Sequence, residues 1–205
     1  MSIVKLNNRS VKDVTSFGSI SSLGSITHIA TQTASSSASV SFTSGIDSTY
    51  KEYIFYFINM HPASNNVQFE FNMSIDGGSN YNVTKTTTLF KARLAENNTI
   101  QEFGYETSSD LAQSTNYQPF TYAGVRYDND SSLSGVLRIF EPSSSTFVKH
   151  FISTCNYMSS SGSSPVSYNS FIGGYGNSTN SVDAIDFKMS SGNIDSGQIL
   201  LFGLN

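Results

Sequence analysis

The chain has 205 residues, of which 13% are charged and 13% aromatic, and its formal net charge is −4. This length suffices for one well-packed domain, and the aromatic content excludes a typical disordered chain. The mild acidity gives no electrostatic basis for binding nucleic acid or a membrane surface, and no apolar run approaches the roughly 20 residues that span a bilayer.

The first 25 residues differ in character from the rest, because Ser and Gly separate isolated apolar residues. They lack the apolar region and cleavage site of a secretory signal, so we expect synthesis in a cytoplasm without a signal peptide. The segment fits either a frayed terminus or an extended arm that orders on a partner. In the second case, apolar anchors and basic residues form the docking set: Ile3, Val4, Leu6, Arg9, Lys12 and Phe17.

From residue 26 onward, apolar and polar residues alternate in short segments that are typical of β-strands. The predicted strands are 26–33, 38–43, 52–59, 67–75, 81–92, 99–106, 117–123, 134–141, 146–158, 166–175, 182–189 and 197–204. Helical periodicity is confined to one short turn at 109–113. Gly, Pro, Asn and Ser separate the strands, so we predict one all-β domain over 26–205, an antiparallel β-sandwich of jelly-roll type with an extended N-terminal arm.

The stretch Asp76-Gly77-Gly78-Ser79 follows the 67–75 strand and could be a cation loop or a turn. An EF-hand loop starting at Asp76 would need a glutamate at its twelfth position, which is Thr87. The same count from Asp128 ends at Ile139. Glycines supply the positive φ angles of tight turns, so the turn interpretation is favoured.

Two predicted strands are apolar on both faces, EYIFYFIN at 52–59 and QILLFGL at 198–204. A sandwich strand normally keeps its outer side polar. Either these are central strands with tolerated surface aromatics, or the outer side is covered by a loop, by the N-terminal arm or by another subunit. The last alternative predicts a homo-oligomer.

No catalytic, metal-binding or cofactor-binding constellation is recognisable. The single cysteine, Cys155, lies five residues from His150, so the two face opposite sides of one strand and form no dyad. Asp183 and Asp186 are likewise of opposite parity. We therefore predict no enzymatic activity and no cofactor.

One cluster has the composition of a binding surface: Tyr117, Phe120, Tyr122, Arg126 and Tyr127. Aromatic faces beside Asn, Gln and Arg suit sugar rings or a protein partner. The same residues could also be ordinary core and loop packing, which is the favoured interpretation.

Five stretches resemble virion structural proteins of marine tailed bacteriophages: NRSVKDVTSFGSI, ASSSASVSF, GIDSTYKEYIFYFINMHP, QFEFNMSIDGGSNYN and VDAIDFKMSSGNIDSGQILLFGL. They cover roughly the first 85 and last 25 residues and build strands and turns rather than a catalytic site. The resemblance implies a β-sandwich on the particle exterior, decorating the capsid or associated with the tail fibre. It also implies an oligomer, with three as the subunit number.

Sequence and resemblance together predict a non-enzymatic virion structural protein whose partners are other capsid or tail proteins and further copies of itself. The alternative is a glycan-binding module that recognises carbohydrate on a host surface. A depolymerising enzyme is the least favoured class, because no pair of acid and base residues converges.

Overall fold

The computed structural model describes residues 26–161 and 164–205. The predicted N-terminal arm, residues 1–25, lies outside the described residues. The strands are β1 (Thr27–Ser37), β2 (Val40–Phe42), β3 (Glu52–Pro62), β4 (Phe69–Ser74), β5 (Lys85–Ala95), β6 (Gln101–Tyr105), β7 (Gln118–Pro119), β8 (Leu133–Phe140), β9 (Lys149–Ser161), β10 (Ser164–Gly176), β11 (Ala184–Met189) and β12 (Ile194–Leu204). The described residues contain one further element, a 3-10 turn at Thr107–Ser109.

The strands form two antiparallel sheets of unequal size. The larger has eight strands in the order β1-β12-β3-β8-β9-β10-β5-β6, and the smaller has four in the order β2-β11-β4-β7. The two sheets share one core. In it the ring centre of Phe55 in β3 lies 5.3 Å from that of Phe187 in β11, and the ring centre of Phe71 in β4 lies 5.2 Å from that of Phe151 in β9. The predicted antiparallel β-sandwich is therefore confirmed.

Alternation within each strand explains which face it buries. In β3, Tyr53, Phe55 and Phe57 are almost completely buried against the smaller sheet, while Tyr56 and Ile58 are exposed on the opposite side. Because successive side chains point to opposite faces, this register fixes the inner and outer faces of the sheet.

Two sequence predictions of strand bounds differ markedly from the structure. Residues 81–84 precede β5 as a loop, because Asn72 of β4 donates its side-chain amide to the Tyr81 carbonyl at 2.7 Å. The 117–123 segment pairs with β4 only through Gln118 and Pro119. Beyond them the chain turns inward and delivers Phe120 to the core.

The Asp76-Gly77-Gly78-Ser79 stretch is a turn, as the sequence predicts, with φ angles of 69° and 85° at the two glycines. The Asp76 carboxylate accepts hydrogen bonds from the Asn80 backbone at 2.9 Å and from the Ser74 hydroxyl at 2.7 Å. The Asn80 side-chain amide also donates to this carboxylate at 2.7 Å, and together with the Ser74 and Asn80 backbone hydrogen bonds it lowers the pKa of Asp76 to about 2. The carboxylate therefore organises the turn.

Strands β10, β5 and β6 form one end of the larger sheet, and β5 contacts the smaller sheet through Lys85 and Thr87, which hydrogen-bond to Asn72 and Gln118. The segment between β6 and β8 supports their inner side. Its Tyr122 and Ala123 backbone amides donate to the Tyr157 hydroxyl at 3.0 and 3.1 Å, and the Lys91 ammonium lies 3.9 Å from the centre of the Tyr122 ring.

Candidate functional site

The structure divides the predicted aromatic cluster. Phe120 is fully buried, and its ring stacks on Phe71 at 4.9 Å and on Phe69 at 5.4 Å. It is therefore a core residue rather than part of a binding surface. Its position follows from β7, which ends one residue earlier at the edge of the smaller sheet.

The remaining members of the cluster do not form one surface. Tyr122 packs beneath Lys91, as described above, whereas Arg126 pairs with Asp128 and Tyr127 is exposed beside them. Tyr117 is directed to the outer side of the smaller sheet, where its hydroxyl donates to Asp186 at 2.9 Å. Burial and the Asp186 carboxylate raise the pKa of Tyr117.

A cavity of about 470 Å³ opens beside Tyr117, between β4, β7, β11 and the 108–116 segment. On its wall, Lys188 of β11 lies 4.2 Å from the centre of the Tyr117 ring and 3.4 Å from the Glu70 carboxylate. The Glu70 side chain is only 14% exposed. We refer to this cavity as the Glu70 cavity.

The Glu70 carboxylate is under-coordinated for its degree of burial. Across residues 26–161 and 164–205, Lys188 at 3.4 Å is its one cationic contact, and no backbone amide or hydroxyl donates to it. Burial raises the pKa of Glu70, and Lys188 offsets part of that rise. A carboxylate in this state can accept hydrogen bonds from a ligand in the cavity.

The outer face of the eight-stranded sheet is the second candidate surface. Its central cross-strand row consists of Thr31, Leu200, Tyr56, Val136, Thr154, Phe171, Phe90 and Tyr105. The row on one side contains His28, Phe202, Ile54, Arg138 and Ile152. The row on the other side includes Ile58 and Phe103. We call the surface formed by these three rows the outer face.

Large apolar side chains on the outer face are exposed to solvent, including Ile58 at 42%, Ile152 at 47% and Phe103 at 72%. Others pack edge to edge or stack: Tyr56 lies 5.6 Å from Phe202, and Phe90 lies 5.0 Å from Phe171. Within the three rows the one charged group is Arg138, which pairs with Glu52 at the end of β3. The row that holds Ile58 and Phe103 also contains polar, uncharged residues: Thr33, Gln198, Ser134, Asn156 and Asn169. The outer face is therefore nearly free of net charge, and its apolar side chains are concentrated in the other two rows.

The structure separates Cys155 from His150. Cys155 is buried, and burial raises its pKa to about 12, while His150 lies on the opposite face of β9, as the sequence predicts. Among the residues described, no group of three or more His, Cys, Asp or Glu side chains is placed to hold a metal ion. The same residues include no helix with the length and apolar character needed to cross a membrane.

The structure also reveals a buried lysine that the sequence analysis missed. Lys85 of β5 is fully buried, and its ammonium donates to the Val83 carbonyl at 2.8 Å and to the Asn72 side chain. Burial lowers its pKa to about 7. The sequence did contain a signal for this burial. Side chains alternate with a period of two residues, so Lys85 lies on the same strand face as Thr87 and Leu89, and that face points inward.

Glu70 and Lys188 were not selected from the sequence either. Each occupies a polar position in an alternating strand, where a solvated side chain is the usual outcome. Their proximity depends on the pairing of β4 with β11, in which Glu70 lies opposite Lys188. The predicted docking residues Ile3, Val4, Leu6, Arg9, Lys12 and Phe17 lie outside the described residues.

Comparison of the chain with protein-family models, with curated proteins and with solved structures finds no match in any of the three.

Proposed function

We propose that this protein is a non-enzymatic structural component of a bacteriophage particle exterior that assembles with further copies of itself through the outer face. The single observation that carries the assembly role is the outer face, on which large apolar side chains of β3, β5, β6 and β9 remain exposed. The phage assignment rests on the sequence resemblance. Capsid decoration and tail-fibre association both fit it.

The size of the outer face is suited to a protein interface. Eight strands spaced about 4.8 Å apart span roughly 34 Å, and three rows occupy roughly 20 Å along the strands, which gives on the order of 700 Å². The largest apolar patch on a typical monomer is about 300–600 Å², whereas a standard interface buries about 800 Å² per partner. The estimate covers polar as well as apolar residues, so it measures the area available to a partner, which is close to the second value.

The charge of the outer face favours a second copy of this chain as its occupant. A basic or acidic partner would need a surface of opposite charge, but Arg138 is already paired with Glu52. Two identical apolar surfaces bring no like charges together, and interfaces between identical subunits are typically richer in apolar area than other interfaces. The subunit number of three comes from the resemblance.

The strand order supports the jelly-roll type of sandwich that the sequence predicts. Without the β5–β6 and β9–β10 hairpins, the larger sheet keeps the order β1-β12-β3-β8 and the smaller one β2-β11-β4-β7. Eight strands that wind alternately between two four-stranded sheets form the arrangement of a jelly roll, a fold that occurs in viral capsid proteins.

Sedimentation of the Ile152→Glu variant tests the self-association. We expect the wild type to sediment as an oligomer, and the variant to shift towards the monomer because a charge would be buried without a partner. Thr179→Glu, in an exposed loop away from the outer face, is the matched control and should sediment as the wild type does. A monomeric wild type, together with a particle map that lacks contacts between copies, would contradict the proposal.

Glycan binding is the second candidate function, and the Glu70 cavity is the observation that favours it. Its lining combines an aromatic ring with charged and amide side chains, as sugar-binding sites do.

A further inference from the structure

We infer that the Glu70 cavity binds a neutral sugar unit of a glycan, with Glu70 and Lys188 as the groups that hold its hydroxyls. The outer face belongs to the eight-stranded sheet, whereas the Glu70 cavity lies on the solvent side of the four-stranded sheet. The inference rests on the second candidate function, glycan binding, and is independent of the self-association.

The first argument is the free hydrogen-bonding capacity of the cavity wall. Among the described residues Lys188 is the one close partner of Glu70, so most of the acceptor capacity of the carboxylate is open to a ligand or to solvent. The Asn116 side chain is exposed at the rim and offers both an acceptor and two donors. Gln68 uses its amide nitrogen on the Thr121 carbonyl at 2.7 Å, which leaves its carbonyl oxygen as a further acceptor.

The second argument is the pairing of opposite charges at one side of the cavity. Glu70 accepts from a hydroxyl, while Lys188 donates to one, and the two groups are 3.4 Å apart. Adjacent hydroxyls of a sugar both donate and accept, so one sugar edge can satisfy both groups at once. An anionic ligand would be opposed by Glu70, and a cationic one by Lys188.

The third argument is the shape and apolar content of the cavity. A volume of about 470 Å³ falls within the range of about 300–1,000 Å³ found for small-molecule sites. Pro119, Leu111 and the Tyr117 ring contribute apolar surface beside the polar groups. The Tyr117 ring is fixed by its hydrogen bond to Asp186, so little entropy is lost when a sugar packs against it.

The experiment titrates the full-length protein with maltose, lactose and N,N′-diacetylchitobiose and detects binding by saturation-transfer NMR. A glycan array tests a wider set of sugars in parallel. We expect saturable binding to at least one of these glycans. Glu70→Gln retains the shape but loses the charge-assisted hydrogen bond, and should weaken binding about tenfold or more. Lys188→Met, at the exposed edge of the cavity, should weaken it similarly.

Glu141→Gln is the matched control, because Glu141 is an exposed carboxylate paired with Lys51 away from the Glu70 cavity, and its binding should equal that of the wild type. Sedimentation of all variants should be unchanged, which separates this inference from the proposed assembly. Absence of binding to every glycan tested would overturn the inference. Binding that survives both cavity substitutions would also overturn it.

Discussion

Folding strongly alters the ionisation of Lys85. Among the described residues its ammonium contacts no carboxylate, and its hydrogen bonds go to a carbonyl and an amide oxygen. Burial disfavours the charged form, which lowers the pKa from 10.5 to about 7. The titration of Lys85 should therefore make the free energy of unfolding depend on pH.

The direction of that dependence follows from proton binding. Between pH 7 and 10.5 the unfolded chain keeps the Lys85 proton and the folded chain releases it, so the free energy of unfolding rises with pH. The slope from this residue can reach about 1.4 kcal/mol per pH unit. Below pH 7 both states are protonated, and the cost of burying the charge remains constant.

Lys85→Met removes the titrating group while preserving most of its length. We expect the rise in unfolding free energy between pH 7 and 10 to be smaller in this variant than in the wild type. Urea denaturation at several pH values measures the free energy of unfolding of both proteins. The contributions of other titrating residues are the same in both and cancel when the two are subtracted. Equal slopes for the two proteins would show that the buried amine does not titrate in this range.

Among the strands of the described residues, β6 is the most exposed. It pairs only with β5, over five residues, and four of its own five residues are exposed. Ion pairs hold its inner side, where Lys91 of β5 contacts Glu106 just after β6 and lies 3.3 Å from Glu102. Lys91 is buried, so its carboxylate partners compensate a desolvated charge.

Glu106→Gln should destabilise the fold by about 1–3 kcal/mol, because the Lys91 ammonium loses its closest compensating charge. Adding Lys91→Met should recover part of this loss, since the uncompensated charge is then removed as well. Glu141→Gln, which breaks an exposed pair with Lys51, should change stability by no more than about 1 kcal/mol. Denaturant unfolding of the four proteins measures these differences. A double variant less stable than Glu106→Gln would contradict the charge argument.

At this scale the sequence predicts much of the fold, because strand formation is governed by local alternation. Each of the twelve predicted segments overlaps an observed strand, and residues 67–75 enclose β4. The order of strands within the sheets depends on contacts between distant segments, which alternation does not encode. The candidate site was harder to predict for the same reason, because Glu70 and Lys188 meet only through the β4–β11 pairing. For Phe120 the sequence left a binding surface and core packing both open, because the inward turn after β7 has no local signature.

For the whole molecule, residues 1–25 are predicted to be the element that attaches the sandwich to the particle. The segment is too polar to form a core of its own, and ordering it costs on the order of 1–2 kcal/mol per residue. A chain that lacks residues 1–25 should therefore remain folded and soluble but fail to enter particles. Circular dichroism and quantification of the protein in purified particles measure the two effects.

A full-length chain with Leu6→Ser and Phe17→Ser separates the loss of the apolar anchors from the loss of chain length. It should show the same loss of incorporation into particles if these side chains bind the partner. Normal recruitment of the truncated chain would instead assign attachment to the sandwich surface.

The pairing of β1 with β12 has a mechanical consequence. Thr27 at the start of β1 lies opposite Gly203 near the end of β12, so the two strand ends adjoin at one end of the sheet. Tension applied between Thr27 and Gly203 would pull the antiparallel pair apart as a zipper, breaking its hydrogen bonds one after another. A load that enters through one of these ends and leaves through the outer face would instead act across several strands at once. The protein should therefore resist much greater force in the second geometry than in the first.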